Sequence, residues 1–282
     1  MKLATLRTGA TTQAVLVNED GTLSPLERFA DVGAFLAAPT EAREAAAATA
    51  RAADAQRLPA PARGELAQPI LNPAKVLCIG LNYHEHIKET GNEVPKFPTV
   101  FAKFALTLTG PDDDIAFPAE DHRLDWEGEL GIVIGSGGRR LGEEQAADAI
   151  AGYTIANDVS MRGWQGRTAE WTQGKIWEAS TPVGPWVVTP DEFDPTAQLT
   201  TRLNGAVVQQ DSVGNTVFSP AALVAYLSTI ITLEPGDLII TGTPAGVALG
   251  RRNEAGRHPW MVAGDEMEVS IEGLGVQHTR LV

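Results

Sequence analysis

Two glutamates stand two positions apart at the start of an apolar segment. Glu127 and Glu129 lead into Leu130-Gly131-Ile132-Val133-Ile134, a run that is typical of a buried strand. Residues two apart on a strand point to the same face, so the two carboxylates project together. Like charges held this close repel and raise each other's pKa unless a cation neutralises them. A solvent-facing strand edge is the competing interpretation of an isolated Glu-x-Glu pair.

A third acid, Asp158, favours the metal interpretation. It follows the apolar segment Tyr153-Thr154-Ile155-Ala156-Asn157 and so ends a second predicted core strand, where an unpaired carboxylate is costly to bury. Three carboxylates without Cys or His form a hard oxygen donor set, which suits Mg²⁺ or Mn²⁺ better than Zn²⁺. Glu127, Glu129 and Asp158 are therefore the predicted metal ligands.

A histidine and a glutamate stand three positions apart, shortly after the predicted strand Val76–Gly80. On a helix this spacing places His86 and Glu89 on one face. A carboxylate beside an imidazole orients the ring and raises its basicity, as a general base requires. The other histidines have no organised partner in the sequence and are interpreted as surface or packing residues: His84, His122, His258 and His278.

The elements that must position these side chains are short strands separated by glycine, with few helices. This pattern predicts a β-rich α+β fold. An Ala-rich helix is predicted between residues 31 and 57, and an apolar helix near residues 221–233. A proline-punctuated segment over residues 58–73 cannot continue a helix and predicts a domain boundary. Residues 1–70 would form a small N-terminal β/α domain with its linker, and residues 71–282 the catalytic domain.

The composition excludes several classes of protein. The 282 residues include 22 basic and 36 acidic side chains, a formal net charge of −14. Nucleic acid is therefore not an expected partner, because phosphate binding draws on clustered Lys and Arg. The single cysteine, Cys78, has no partner for an intrachain disulfide, which predicts a reducing, cytoplasmic location. No apolar run reaches the length of about 18 residues that a membrane span needs, so no membrane partner is expected.

Five segments, in order along the chain, resemble the fumarylacetoacetate hydrolase family. They are Gly80-Leu81-Asn82-Tyr83 with His86, Asp125-Trp126-Glu127-Gly128-Glu129-Leu130, Ala156-Asn157-Asp158-Val159-Ser160, Gly174-Lys175 and Thr241-Gly242-Thr243-Pro244-Ala245-Gly246-Val247. They span the chain from about Lys75 to the C-terminus. The resemblance implies a mixed β-roll catalytic domain, usually in a homodimer, with Mg²⁺ or Mn²⁺ held by the three acids identified above.

The resemblance also implies roles for individual residues. His86 and Glu89 match the family's catalytic dyad, on a segment that often acts as a mobile lid, and Lys175 matches a catalytic lysine. Arg162, Gln165 and Thr243 match positions that contact substrate or help to bind its carboxylate and oxyanion. Three nearby tryptophans are interpreted as core or dimer packing in preference to a pocket wall: Trp164, Trp171 and Trp177.

The predicted substrate is a small anionic 2-oxo acid with a second carbonyl at C4, an acylpyruvate or a fumarylpyruvate-like compound. The predicted reaction is metal-dependent hydrolysis of the C3–C4 bond to pyruvate and a carboxylic acid. Oxaloacetate decarboxylation and isomerisation of a 2-hydroxyhepta-2,4-diene-1,7-dioate-type diacid use related chemistry and stay open. A metal-binding scaffold without turnover also stays open, although a scaffold needs no base, so the His86–Glu89 pair favours an enzyme.

Overall fold

The computed structural model describes residues 1–282, which form eighteen strands and six helices. The strands are β1 (Lys2–Thr8), β2 (Thr11–Val17), β3 (Leu23–Pro25), β4 (Leu66–Ala67), β5 (Val76–Gly80), β6 (Thr99–Lys103), β7 (Leu108–Thr109), β8 (Leu124–Asp125), β9 (Gly128–Ile134), β10 (Ile150–Asn157), β11 (Ser160–Met161), β12 (Thr181–Pro182), β13 (Val187–Val188), β14 (Gln198–Leu203), β15 (Ala206–Ser212), β16 (Leu238–Ile240), β17 (Glu266–Ile271) and β18 (Gly275–Arg280). The helices are α1 (Val32–Ala37), α2 (Thr40–Arg51), α3 (His84–Glu89), α4 (Glu143–Asp148), α5 (Arg162–Gln165) and α6 (Pro220–Ile230).

Most of the longer strands belong to one mixed sheet of ten strands. Its order is β3-β2-β1-β13-β10-β9-β16-β5-β6, with β4 also paired to β1. Strands β16 and β5 run parallel, and the other neighbours in this sheet run antiparallel. A four-stranded antiparallel sheet, β15-β14-β17-β18, packs on it through a cluster that joins Leu130 and Ile155 to Leu199 and Val269. The predicted β-rich α+β class is confirmed.

The N-terminal strands extend the main sheet. Strand β1 pairs with β13, so that Leu3 lies opposite Val187. Leu3 also belongs to the same buried cluster as Cys78 and Leu238, which lie far along the chain. The domain boundary between residues 70 and 71 stays a prediction, and strands from both sides of it share one sheet and one core.

The Ala-rich segment forms two helices where one was predicted. Pro39 lies between α1 and α2, and its missing N–H removes a hydrogen bond that a continuous helix would need. Asp31 caps α1 by accepting a hydrogen bond from the N–H of Ala34 at 2.6 Å. The predicted apolar helix is α6. None of the six helices combines the length and the apolar character that crossing a membrane requires.

The centre of the sheet positions the predicted site. In the antiparallel pairing of β9 with β10, Glu129 lies opposite Ala156. Asp158 follows the end of β10 and its N–H donates to the carbonyl of Glu127 at 2.9 Å. The start of β9 lies next to the end of β10 because the two strands are antiparallel. The three acids therefore lie at the same end of this strand pair.

Candidate active site

The three predicted metal ligands lie together. One carboxylate oxygen from each of Glu127, Glu129 and Asp158 lies within 4.8 Å of the others, and all three residues are buried. Three hard oxygen donors at this spacing fit a divalent cation such as Mg²⁺ or Mn²⁺, which takes its remaining ligands from water or substrate.

Three cationic side chains surround this trio. Lys175 Nζ donates to Glu127 Oε2 and, at 2.8 Å, to Asp158 Oδ2. Arg162 Nη2 donates to Glu127 Oε1 at 2.6 Å. Lys103 Nζ donates to Asp158 Oδ1 at 2.5 Å, and its side chain is fully buried. Glu127 and Asp158 are therefore paired with cations inside the protein.

Glu129 differs from its neighbours because it has no cationic partner. Its Oε2 accepts a hydrogen bond from the N–H of Gly242 at 2.5 Å. Burial, followed by the charges of Asp158 and Glu127, raises the pKa of Glu129 well above its ordinary value. Burial also acts on Glu127, but Arg162 and Lys175 outweigh it and hold the pKa of Glu127 well below its usual range. The uncompensated charge is at Glu129, and a divalent cation would neutralise it.

A fourth acid, Asp125, anchors the arginine. Arg162 Nε donates to Asp125 Oδ2 at 2.9 Å, and Arg162 Nη1 donates to Gln165 Oε1 at 2.7 Å. The backbone N–H groups of Ala248 and Leu249 also donate to Asp125, at 2.6 and 3.0 Å. Burial raises the pKa of Asp125 although Arg162 opposes the shift. The guanidinium is thus held by three side chains, which fixes its orientation beside the trio.

The predicted His–Glu pair forms on α3. His86 Nδ1 and Glu89 Oε1 are 2.8 Å apart. Because a carboxylate accepts hydrogen bonds, Nδ1 carries the proton and Nε2 is left as the acceptor of the ring. Both oxygens of Glu89 also accept from the N–H of Gly246, at 3.1 and 3.0 Å. The side-by-side placement of the two residues is confirmed, and their catalytic role stays a prediction.

One loop, residues 241–247 after β16, donates backbone hydrogen bonds both to the carboxylate trio and to the His86–Glu89 pair. Its Gly242 N–H binds Glu129 of the trio, and its Gly246 N–H binds Glu89 of the pair. Both glycines have positive φ, +100° and +108°, a conformation that L side chains rarely adopt. A Cβ at Gly246 would also lie 2.1 Å from the carbonyl oxygen of Val208. Glycine at these two positions therefore lets the loop reach both sites.

These groups face one cavity of about 370 Å³. Seven of the nine predicted site residues line it, namely His86, Glu127, Glu129, Arg162, Gln165, Lys175 and Thr243. Glu89 and Asp158 lie directly behind them, bonded to His86 and Lys175. Apolar residues complete the wall: Ile79, Leu81, Phe101, Ala169, Trp171 and Leu249. The tertiary structure therefore brings all the predicted site residues to a single cavity.

The hydroxyl of Thr243 already forms hydrogen bonds with other groups of the protein. Thr243 Oγ1 donates to the carbonyl of Gly128 at 3.0 Å and accepts from Gln209 Nε2 at 2.8 Å. A substrate carboxylate would have to displace the first of these bonds to be capped by the hydroxyl. The substrate-binding role of Thr243 stays a prediction.

Two charged residues of the site are absent from the predicted set, and one tryptophan lines the cavity in addition to packing on the core. Lys103 and Asp125 are buried partners of Asp158 and Arg162. One sequence feature could have indicated that Lys103 is buried. It stands two residues after Phe101 in β6, which puts both side chains on the buried face of the strand. Trp171 packs on the large core cluster, in line with the packing role predicted for it, and it also lines the cavity. Trp164 and Trp177 pack against each other edge to face, with centroids 5.5 Å apart.

Comparisons with known proteins agree with this geometry. Residues 75–282 match the profile described as fumarylacetoacetate (FAA) hydrolase C-terminal. The chain is 40% identical over 248 residues to the oxaloacetate tautomerase FAHD2A, mitochondrial, of Homo sapiens, covering 86% of this chain and 78% of that protein. It is 40% identical over 241 residues to the 2,4-didehydro-3-deoxy-L-rhamnonate hydrolase of Sphingomonas sp. (strain SKA58), covering 84% and 83%. The fumarylacetoacetate hydrolase structure from Exiguobacterium antarcticum superposes with a TM-score of 0.84 at 30% identity, covering 100% of this chain and 99% of the other.

Proposed function

This chain belongs to the fumarylacetoacetate hydrolase family, and from that premise we propose that it hydrolyses a 2,4-dioxo acid. The products would be pyruvate and a carboxylic acid. The observation that supports the proposal is a carboxylate-oriented histidine on the same cavity as a buried carboxylate trio. Such a histidine is suited to activating water, and hydrolysis of a C–C bond requires an activated water.

The proposed cofactor is Mg²⁺ or Mn²⁺, held by Glu127, Glu129 and Asp158. When bound, the cation would supply Lewis-acid chemistry, polarising the 2-oxo group and offsetting negative charge that develops on it. The raised pKa of Glu129 supports a cation at this position, because neutralisation favours its charged form.

His86 would move the proton. Its Nε2 takes a proton from water, and the water oxygen bonds to C4 of the substrate. The C3–C4 bond then breaks, and its electron pair forms the enolate of pyruvate. The proton on His86 is transferred to C3, which completes pyruvate, while C4 becomes the carboxyl carbon of the second product. Glu89 keeps Nδ1 protonated throughout and stabilises the positive charge that the ring gains.

The cationic side chains would hold the substrate's negative charge. Lys175 and Arg162 lie beside Glu127 and line the cavity, so that their positive charges are within the space that the substrate would occupy. Gln165 is oriented by Arg162, which leaves its amide nitrogen as a further donor. These groups bind and orient the 2-oxo acid before the proton is transferred.

Keto–enol tautomerisation of oxaloacetate is the second candidate. The similarity to the human protein named as an oxaloacetate tautomerase favours it. Tautomerisation needs the same base as hydrolysis but no attack by water. A proton leaves C3, and a proton is added at the C2 oxygen. The Sphingomonas relative, named as a hydrolase, favours the first candidate at the same identity. Oxaloacetate decarboxylation and diene-diacid isomerisation remain alternatives for the same cavity.

A substrate panel separates these reactions. Acetylpyruvate, fumarylpyruvate, oxaloacetate and fumarylacetoacetate are supplied to metal-depleted protein with and without added Mg²⁺ or Mn²⁺. We expect metal-dependent release of pyruvate from acetylpyruvate, and a loss of about 10²–10⁴ in kcat for His86→Ala. If oxaloacetate tautomerises and acetylpyruvate is not cleaved, the second candidate replaces the first. Full cleavage by His86→Ala would remove the base assignment.

Calorimetry tests the metal site independently of turnover. Glu129→Gln should weaken Mg²⁺ binding, whereas His86→Ala should leave it unchanged, because His86 is not a ligand. A protein that binds Mg²⁺ but converts none of the panel would be a metal-binding scaffold, and the enzymatic proposal would fail.

The proposed location is the cytoplasm. The proposal rests on the single cysteine, Cys78, which is buried and has no partner in the chain for a disulfide, and burial raises the pKa of its thiol well above the ordinary value. The human relative is named as mitochondrial, which makes fractionation of the source cells the direct test.

A further inference from the structure

We propose that the cavity selects 2-oxo acids whose far end is uncharged and apolar, and that Trp171 determines this selectivity. The inference rests on the proposed function, because it concerns the substrate of the same site. It separates acylpyruvates with alkyl or aryl groups from 2,4-dioxo acids that carry a carboxylate beyond C4, such as fumarylpyruvate.

An aromatic wall begins directly beside the charged groups. Lys175 Nζ lies 5.2 Å from the ring centroid of Phe101. The Phe101 ring in turn meets Trp171 edge to face, with centroids 5.9 Å apart and an interplanar angle of 72°. All three residues line the cavity, and the proposal places the far end of a substrate held at Lys175 against the two rings.

The absence of a side chain at Gly80 makes room for the indole. A Cβ at Gly80 would lie 2.4 Å from Cζ3 of Trp171, closer than real Cβ contacts. The ring therefore lies against the backbone at the end of β5, and it also packs on the large core cluster. Leu81 and Ile79 line the cavity on either side of Gly80. The wall is consequently apolar and held in place by packing.

The cavity offers no free cation to a second carboxylate. Its only Lys and Arg residues are Lys175 and Arg162, and both are bound to buried acids of the site. Thr90, Asn92 and Thr168, which also line the cavity, are neutral. A carboxylate placed against the aromatic wall would lose part of its hydration without gaining an opposite charge, which is unfavourable.

The charges of the buried cluster lead to the same conclusion. At formal charge, with a bound cation holding Glu129 in its ionised form, the four buried acids exceed the three buried bases by one negative charge; they are Asp125, Glu127, Glu129 and Asp158 against Lys103, Arg162 and Lys175. A divalent cation changes this excess to one positive charge. A substrate with a single carboxylate neutralises it, whereas a dicarboxylate leaves the buried cluster negative again.

Binding of two ligands that cannot be cleaved tests the inference apart from turnover. The ligands 2-oxohexanoate and 2-oxoglutarate both lack a ketone at C4 and differ in the charge of the far end. With Mg²⁺-loaded protein, calorimetry should show 2-oxohexanoate binding at least about tenfold more tightly, since added methylenes gain burial and the second carboxylate loses water.

Variants assign the effect to the aromatic wall. Trp171→Ala should remove most of the difference between the two ligands, and Trp171→Phe should keep most of it. Gly80→Ala should push the indole into the cavity and weaken 2-oxohexanoate more than pyruvate. Trp260→Ala is the matched control, because Trp260 stacks on His258 away from the cavity and its loss should leave the ratio unchanged.

Turnover distinguishes this inference from the proposed function. Lengthening the acyl group from acetyl to butanoyl should raise kcat/KM by about tenfold for two methylenes. Equal binding of the two ligands, or a ratio unchanged in Trp171→Ala, would overturn the selectivity proposal even if acetylpyruvate is cleaved. If the binding preference is found but no 2,4-dioxo acid is cleaved, the selectivity proposal stands and the hydrolase proposal fails.

Discussion

At the scale of single residues, three glutamates of the site differ in their surroundings because their partners differ. Glu127 is paired with Arg162 and Lys175, which hold its pKa low. Glu129 has only a backbone donor, and burial beside other acids raises its pKa. Glu89 has His86 on one side and the N–H of Gly246 on the other. These environments suit Glu127 and Glu129 to the proposed cation site and Glu89 to the proposed dyad.

Replacing Glu89 tests the role of the dyad. Glu89→Gln removes the charge that stabilises a protonated His86 and allows the wrong ring tautomer, so kcat should fall by about 10²–10⁴. Steady-state kinetics on the cleaved substrate measures this change. The Mg²⁺ affinity from calorimetry should not change, because Glu89 is not among the ligands.

The matched control is Glu85→Gln on the same helix. Glu85 is exposed and its only partner is Lys88, at 3.4 Å. Its loss should leave kcat unchanged. If both variants lose activity equally, the effect would reflect the helix and not the dyad.

At the scale of elements, the site is assembled by strand ends and one loop. The pairing of β9 with β10 brings Asp158 to Glu127, and the loop after β16 carries backbone donors to Glu129 and Glu89. The first strand is joined to the body of the protein by a side-chain contact as well as by the sheet. Arg7 on β1 binds both oxygens of Asp113 through its two terminal nitrogens, at 2.8 and 2.6 Å.

This contact predicts a pH-dependent contribution to stability. Burial alone would raise the pKa of Asp113, but hydrogen bonds from Arg7, Thr109 and the Gly110 N–H hold it below the ordinary value. Asp113→Asn should lower the free energy of unfolding by about 1–3 kcal/mol near neutral pH, as for hydrogen bonds to charged groups. Because the folded-state pKa is depressed, the stabilisation is present above about pH 4 and is lost as the pH falls through the folded pKa.

Denaturant unfolding from pH 7 down to about pH 3 measures the effect. The difference between the natural protein and Asp113→Asn should shrink at the acidic end. Asp112→Asn is the control, since Asp112 has no side-chain hydrogen bond and its loss should change little. A difference that stays constant over the whole pH range would contradict the assignment.

At the scale of the whole molecule, the net charge of −14 does not attract an anionic substrate. The attraction must come from the cavity, where Arg162, Lys175 and the proposed cation lie close together. Another feature of the surface points to assembly. Strand β6 is the last strand of the main sheet, and the chain around it exposes Phe97 (67%), Phe104 (59%) and Leu106 (74%).

We propose that this apolar edge forms the interface of a homodimer, the assembly that the family resemblance implies. Exposed apolar side chains beside an unpaired strand edge are typical of interaction surfaces. Leu106→Glu should shift the protein from dimer to monomer in sedimentation velocity at micromolar concentration. Val262→Glu, at an exposed apolar position in another part of the chain, should leave the assembly unchanged. A natural protein that sediments as a monomer would contradict the proposal.

Local patterns in the sequence are sufficient to predict the β-rich class, the Glu127–Glu129 pair and the dyad, whereas Asp158 joins that pair through the pairing of β9 with β10. The i, i+2 spacing on a strand and the i, i+3 spacing on a helix are set by backbone geometry alone. For that reason the sequence by itself pairs Glu127 with Glu129, and His86 with Glu89. The break between α1 and α2 at Pro39 is also readable from local chemistry, although a single helix was predicted.

The tertiary structure decided what depends on residues distant in sequence. Lys103 and Asp125 became part of the site only because sheet pairing brings them to Asp158 and Arg162, and no short-range pattern encodes such a meeting. The same holds for Trp171, whose place on the cavity depends on a missing side chain at Gly80, ninety-one positions earlier. The opposite pKa shifts of Glu127 and Glu129 likewise depend on burial and on distant partners, because a pKa responds to the whole environment of the folded chain.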